Sequence, residues 1–274
     1  MKILITNDDG YRAKGIAVLV KIMKKYGEVT VVAPKHHQSG MSMAVSLGYK
    51  PVAVKDLGMI DGVHWMYADG TPASAAKFAV DVVMKDDLPD LVVSGINHGS
   101  NASTAMWYSG TIGAAREGAF AGVPAIGVSL DNMHRDADFS VVEELLPGVL
   151  DKLLPNIVDH KTVYNINFPD IPASEIKGVK ICTQGVECWE NEFVKPEELP
   201  EPVRLMLKDY GFQFDAQAEE GETIYFMAGD IKASPENDET TDNWANDNGY
   251  IAITPQSLDN TDMEEYKRLS KIEF

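Results

Sequence analysis

Residues 2–10 read Lys-Ile-Leu-Ile-Thr-Asn-Asp-Asp-Gly (KILITNDDG), a short apolar run that ends abruptly in two carboxylates and a glycine. Ile3, Leu4 and Ile5 form an unbroken apolar stretch, as expected of a strand buried on both faces rather than one with a wet side. Residues 15–27 (GIAVLVKIMKKYG) follow with helical spacing and a glycine stop, and 28–34 (EVTVVAP) form a second strand closed by proline. The same alternation recurs downstream. Residues 90–96 (DLVVSGI), 125–130 (AIGVSL) and 162–169 (TVYNINFP) read as strands, while 108–123 (YSGTIGAAREGAFAGV) and 139–154 (FSVVEELLPGVLDKLL) read as helices. Residues 63–84 predict a strand, a turn at Asp69–Pro72 and an Ala-rich helix, and the stretch 35–57 is non-helical with one or two short strands in its later part. Strands alternating with helices predict an α/β fold: a doubly wound, mostly parallel sheet covered on both sides.

In such sheets ligands bind beyond the carboxyl ends of the strands. The polar punctuation Asn7-Asp8-Asp9, Ser39-Gly40 and Gly95-Ile96-Asn97 follows successive apolar strands, so these residues are expected to gather along one edge. Adjacent strand residues point to opposite faces, so Asp8 and Asp9 can share a target only if the chain turns there, which Gly10 permits. Paired carboxylates at a ligand edge suit a hard cation, although Asp-Asp-Gly alone is equally a turn or helix-cap signal.

The loop Ser94–Asn101 (SGINHGSN) supplies Asn97 and Asn101, whose carboxamides offer a neutral oxygen to a cation or N–H groups to a phosphate. Ser109-Gly110-Thr111 open a helix, where hydroxyls and unpaired N–H groups make an anion site, or else an ordinary cap. His98 lies inside the Asn/Gly loop, either as a proton donor to a leaving oxygen or as part of the pocket wall. His36 and His37 read as exposed loop residues. The six histidines show no metal-binding spacing.

The chain has 274 residues, 45% hydrophobic and 24% charged, with a formal net charge of −18. That charge argues against a nucleic-acid polymer as partner, since such binding needs phosphate neutralisation. It is uneven: residues 29–55 contain no Asp or Glu, and 91–115 contain no Asp, Glu, Lys or Arg. These windows are either sites that tolerate an anion or simply buried strands and their loops. Every apolar run is too short to span a bilayer and no signal peptide is visible, so no membrane association is expected. Cys182 and Cys188, the two cysteines present, suit ordinary buried thiols in a reducing cytoplasm.

After residue 170 the pattern changes. Residues 178–229 mix strand-like pieces with acidic, proline-rich connectors, 250–255 (YIAITP) form one more strand, and 262–274 a last helix or tail. The expected organisation is a catalytic core over 1–170 and an extension over 171–274 that partly completes it. A β-hairpin arm in this extension is marginal alone and is expected to pack on another subunit.

Taken in order, ILITNDDG, VVAPKHHQSGMS, DGTPASA, VVSGINHGSN, YSGTIGAAREGA, PAIGVSL and GYIAITP resemble the SurE family, the stationary-phase survival protein E, over nearly the whole chain. The resemblance implies a Rossmann-like core and an acid phosphatase acting as a 5′/3′-nucleotidase on nucleoside monophosphates. It implies one divalent cation per subunit, Mg²⁺ or Mn²⁺, held by Asp8, Asp9, Ser39 and Asn97, with Asp8 and Asp9 as the catalytic pair. A phosphate pocket at Asn101, Ser109, Gly110 and Thr111 is also implied, as is a homodimer or homotetramer built through the C-terminal arm. The chain departs from the family in two places: Ser74-Ala75 stand where relatives commonly carry Asp-Cys, and His98 occupies a position that varies in the family. Two other readings of the residues are a nucleotide-binding regulator without turnover and a phosphatase with Asp8 as covalent nucleophile. The first lacks a Gly-x-Gly-x-x-Gly after the opening strand, and the second lacks the usual Asp-x-Asp spacing.

Overall fold

The computed structural model describes residues 1–48, 50–209, 218–227 and 229–273, apart from the side chains of 206 and 209. Six parallel strands run in the order β4 (Val63–Asp69), β2 (Glu28–Pro34), β1 (Lys2–Thr6), β5 (Leu91–His98), β6 (Ala125–Leu130) and β7 (Thr162–Phe168). β3 (Ala53–Ile60) pairs antiparallel with β4 at one edge. At the other edge β13 (Ile251–Ser257) lies antiparallel to β7 and carries the short parallel strand β8 (Val179–Ile181). The sheet is therefore α/β and mostly parallel, with its last two members drawn from beyond residue 170.

Alternation along β1 sorts its side chains between two apolar layers. Ile3 and Ile5 pack with Ile16, Leu19 and Met23 of α1 (Lys14–Met23) and with Leu146 and Leu150 of α4 (Ser140–Leu153). Leu4 faces the other way, into Ala79, Val92, Ala115 and Ala119 beneath α2 (Pro72–Phe78) and α3 (Gly110–Phe120). All of these are fully or almost fully buried, at about 1.5–3 kcal/mol for each large apolar side chain.

The chain order reverses between β1 and β5: β2 lies on one side of β1, and the later β5, β6 and β7 on the other. The carboxyl ends of β1 and β5 flank that switch point, which opens a crevice without any need for loops to make one. The turn after β2 reaches the start of α3, where Ser42 N–H donates to Tyr108 O at 2.9 Å and Ser42 Oγ to Trp107 O at 2.8 Å.

Between β8 and β13 the chain leaves the sheet as an arm. β9 (Glu187–Glu190) pairs antiparallel with β12 (Asp230–Ala233), and further out β10 (Phe193–Val194) pairs with β11 (Phe226–Met227). α5 (Glu201–Asp209) lies near its tip, while the part of the predicted extension at 210–217 falls outside the described residues. Phe193, Met227, Trp189 and Ile231 on the arm are exposed. The end of the chain, read as a helix or tail, forms α7 (Met263–Leu269), and α6 (Asp242–Asp247) precedes β13. Both cysteines are free, but Cys188 is exposed on the arm, against the expectation of two buried thiols, because a two-stranded ribbon has no second layer to cover it. No helix among the described residues is long and apolar enough to cross a membrane.

Candidate functional site

The turn after β1 is closed by Asn7, whose Nδ2 donates to Gly10 O at 3.0 Å while its Oδ1 accepts from Gly10 N–H at 3.2 Å. Gly10 adopts φ of 97°, a conformation that glycine enters without the Cβ penalty. This tight turn separates the two carboxylates that a straight strand would aim at opposite faces of the sheet.

Asp8 is 3% exposed and faces the N-terminus of α3. Thr111 Oγ1 donates to Asp8 Oδ1 at 2.6 Å and lies 3.5 Å from Asn97 Oδ1. A Cβ at Gly110 would come within 2.8 Å of Asp8 Cβ, so a residue with no side chain is needed where the helix meets the carboxylate. Burial, and then the negative charge of Asp9, push the Asp8 carboxyl up to about 6, against the pull of the Thr111 hydrogen bond.

Asp9 turns toward two imidazoles. His98 Nδ1 lies 2.9 Å from Asp9 Oδ2, the His98 backbone N–H donates to the same oxygen at 3.2 Å, and His37 Nδ1 lies 3.2 Å from Oδ1. The His37 contact is at ion-pair separation, and by geometry Oδ1 has no further hydrogen-bond partner among the described residues. Burial alone would raise the Asp9 carboxyl, but His37 and His98 outweigh it and hold it below the usual range. Asp9 in return raises His37, against the effect of that residue's own burial. His37 is thus half-buried beside a carboxylate, which corrects its reading as an exposed loop residue: Gln38 N–H donates to Asp8 O at 2.7 Å and draws the loop inward.

Asn97, next to last in β5, has its Nδ2 committed to Gly99 O at 2.7 Å, which leaves its carbonyl oxygen toward Thr111. His98 is buried edge-on against Phe139 with ring centres 5.0 Å apart, and its Nε2 has no hydrogen-bond partner among the described residues. Ser39 follows Gln38 on the same loop and is exposed. Ser109 caps α3: its Oγ accepts from Ile112 N–H at 3.1 Å, so its own proton is available to a ligand. The N–H groups of Gly110 and Thr111, in the first turn, have no intrahelical acceptor. Asn101 is anchored by its Nδ2 to Ser129 Oγ at 2.8 Å and by its backbone to Asn165 and Asn167.

Two supports went unread in the sequence. Asn165 and Asn167 are fully buried in β7 and brace the loop carrying Asn101. Their two-residue spacing within an apolar run was the available signal, because buried amides need partners. Asp242 at the start of α6 is fully buried and accepts from the N–H groups of Ser103, Gly185 and Asn243, each at 2.9 Å, and from Thr254 Oγ1 at 3.0 Å. It ties the loop after β5 to the C-terminal part of the chain, and nothing in its local sequence announces this.

Asp8, Asp9, Asn97, His98, Gly110 and Thr111 are thus brought together at the switch point, with Ser39 and Ser109 on the loop and helix cap beside them. No three His, Cys, Asp or Glu side chains among the described residues form a metal-binding cluster, so any cation here draws on the amide and hydroxyl oxygens as well. The family model described as Survival protein SurE matches residues 3–191. The 5′-nucleotidase SurE of Cytophaga hutchinsonii is 39% identical over 259 residues, 94% of this chain and 92% of its own length. That of Bacteroides thetaiotaomicron is 37% identical over 263 residues, covering 94% and 91%. The crystal structure of the SurE protein from Aquifex aeolicus superposes with a TM-score of 0.75 at 29% identity, covering 98% of this chain and 100% of that one. With the sheet, the switch-point carboxylates and the family model in agreement over most of its length, this chain belongs to the SurE family.

Proposed function

We propose that the protein is a divalent-cation-dependent phosphomonoesterase that hydrolyses nucleoside 5′-monophosphates, and 3′-monophosphates as a further class, to nucleoside and phosphate. The observation that carries this reading is the buried pair Asp8–Asp9 at the switch point, opposite the capped N-terminus of α3. The names of the relatives, each a 5′-nucleotidase SurE, support the substrate class.

The residues fit a hard cation. Asp9 Oδ1 is buried without a hydrogen-bond partner among the described residues, Asn97 Oδ1 is turned toward the Thr111 hydroxyl that bonds Asp8, and burial of two neighbouring carboxylates calls for positive charge. Asp8, Asp9, Asn97 and Ser39 would hold Mg²⁺ or Mn²⁺. When bound, the ion supplies Lewis-acid polarisation of a phosphoryl oxygen and a more acidic water.

The remaining work belongs to the chain's own groups. The N–H groups of Gly110 and Thr111, the Ser109 hydroxyl and the second N–H of Asn101 Nδ2 donate to the non-bridging phosphate oxygens, in a site whose dipole already favours an anion. Thr111 fixes Asp8, and His37 and His98 hold Asp9 ionised, so that Asp9 is the member of the pair able to orient the attacking water. His98 Nε2, buried without a hydrogen-bond partner among the described residues, is assigned to the pocket wall or, once the site opens to substrate, to the leaving group. The arm, with Phe193, Met227, Trp189 and Ile231 exposed, is assigned to contacts with a second copy in a homodimer or homotetramer. Two free cysteines fit a reducing cytoplasm.

A panel of nucleoside 5′- and 3′-monophosphates assayed with Mg²⁺, Mn²⁺ or EDTA tests the reading. Phosphate release that needs the cation is expected. Binding of nucleotide without release, or an aspartyl phosphate trapped by rapid quench, overturns it. A clean monomer by light scattering overturns the role given to the arm.

A further inference from the structure

On the Asp9 side of the carboxylate pair lies a cleft of about 460 Å³ whose walls differ in charge from the rest of the molecule. Its lining includes Arg12, Lys14, Lys35 and Arg135 against the carboxylates Asp9 and Asp136, in a chain whose net charge is −18. Two of these cations are held in place by aromatic rings. The Arg12 guanidinium lies 5.0 Å over the Tyr11 ring, Tyr11 stacks on Tyr67 at 5.0 Å, and Lys35 Nζ lies 5.9 Å over Tyr67. Lys14 closes one side by donating to Ala137 O at 2.7 Å, which ties the start of α1 to the loop after β6.

This ladder, whose two rings stack on each other and each carry a cation, does not line the cleft and so gives it no platform for a nucleobase. It orients positive charge instead, because cation–π contacts restrict the rotamers of two otherwise flexible side chains. The phosphate to be cleaved already has its donors at α3, on the Asp8 side. The cleft therefore carries cations that the cleavage of one phosphate does not use: Arg12 and Arg135, with Lys35 shared with Asp69 Oδ2 at 3.6 Å.

We infer that this cleft binds a second phosphate of the substrate, one that is not cleaved, and that nucleoside 3′,5′-bisphosphates are a preferred substrate class. The inference rests on the phosphomonoesterase reading for its scissile group. Water adds to the 5′ phosphorus, the P–O5′ bond breaks, and the leaving O5′ takes a proton from that water. The products are inorganic phosphate and the nucleoside 3′-monophosphate, whose remaining phosphate stays between Arg12 and Lys35. Charge-assisted hydrogen bonds from these two side chains add to the affinity without changing the bond that breaks.

Equilibrium titration of adenosine 3′,5′-bisphosphate and adenosine 5′-monophosphate in EDTA, where turnover is suppressed, reads the second phosphate directly. The bisphosphate is expected to bind about tenfold more tightly, a difference one charge-assisted contact supplies. The gap is expected to close to within about twofold in Arg12→Gln/Lys35→Gln, which keeps the apolar stems, and to persist in Lys25→Gln, an exposed position outside the cleft. Arg135→Gln gives an independent variant in which the gap narrows. Equal affinities in the unmodified protein, no measurable binding of the bisphosphate, or a gap that survives in Arg12→Gln/Lys35→Gln overturns the inference. Failure to hydrolyse adenosine monophosphate under Mn²⁺ with the bisphosphate still bound more tightly would instead strike the phosphomonoesterase reading and leave the cleft's assignment standing.

Discussion

Asp8 and Asp9 are consecutive in the chain, yet one is held against a helix start and the other against two imidazoles. The Asp8 side is built of neutral groups: the Thr111 hydroxyl, the Asn97 carbonyl oxygen and the opening N–H groups of α3. The Asp9 side is built of His37 and His98 and opens into a cleft lined with Arg12, Lys35 and Arg135. Burial raises the first carboxyl to about 6, while the second is lowered despite comparable burial. Two carboxylates placed in contrasting surroundings acquire different roles, and here the contrast leaves Asp8 with a hydroxyl partner and Asp9 with two imidazole partners.

The most severe break is to remove a carboxylate. Asp8→Asn keeps the shape and the Thr111 contact but loses the charge, and phosphatase activity should fall by about 10³-fold or more at saturating Mn²⁺. Steady-state release of phosphate from a nucleoside monophosphate measures it. Full activity in this variant would mean that the Asp8 side has no part in catalysis.

The same variant isolates a stability term. With its folded value raised, Asp8 holds a proton in the native state that the unfolded chain has released, so between pH 4 and 7 it makes stability fall as pH rises. Asp9 is lowered and acts in the opposite sense: its contribution is fully present above the ordinary carboxylate range and is lost as the pH falls through and below that range, so only the upper part of the window is free of it. A carboxyl moved from 3.8 to about 6 corresponds to on the order of 3 kcal/mol lost by neutral pH. Urea denaturation in EDTA at pH 4.5 and 7 should show that loss in the unmodified protein relative to Asp8→Asn. Mn²⁺ at pH 7 should recover it only where Asp8 is present. A difference independent of pH would show that Asp8 is not strained by its burial.

Thr111→Val sharpens the contrast from the helix side. It removes the hydroxyl from a buried carboxylate at nearly constant volume, and should cost about 1–3 kcal/mol of stability in the absence of cation and about 10² in kcat/KM. Denaturation midpoints and initial rates check the two parts. An unchanged rate with lowered stability would assign Thr111 to the fold alone.

How far the two sides could be read in advance follows from how each is built. The Asp8 side is made of motifs that are contiguous in sequence, each placed by a strand end or a helix cap: Asp8 after β1, Asn97 at the end region of β5, and Ser109-Gly110-Thr111 at α3. Parallel strand order then brings these ends together, so both the sheet and the gathering of residues were legible from apolar periodicity. His37 was not, because its inward position comes from a single loop contact, Gln38 N–H to Asp8 O, which has no periodic signal. Asp242 was hidden for a different reason: its acceptors are spent on backbone N–H groups of Ser103 and Gly185, distant in sequence and independent of side-chain type. The cationic cleft draws Arg12, Lys35 and Arg135 from three separate loops, and their meeting is a property of topology.

The smallest expected effect lies on the Asp9 side and tests whether its imidazoles act electrostatically. In His37→Ala the burial of Asp9 is opposed by His98 alone, so the Asp9 carboxyl should move up from its lowered position. Its ionised fraction at a given acidic pH then falls, and the acid limb of the kcat/KM profile should shift to higher pH. At neutral pH, where Asp9 remains ionised, activity should fall by about tenfold or less, since one positioning contact is lost while the carboxylate persists. A pH–rate profile between pH 4.5 and 8 with saturating Mn²⁺ separates this from a packing effect, which would lower the rate equally at every pH. An acid limb that stays in place would mean that His98 alone sets the state of Asp9 and that the two imidazoles are not equivalent partners. The comparison of Asp8 with Asp9 would then reduce to a comparison of Thr111 with His98, two single contacts made to adjacent residues from β5 and α3.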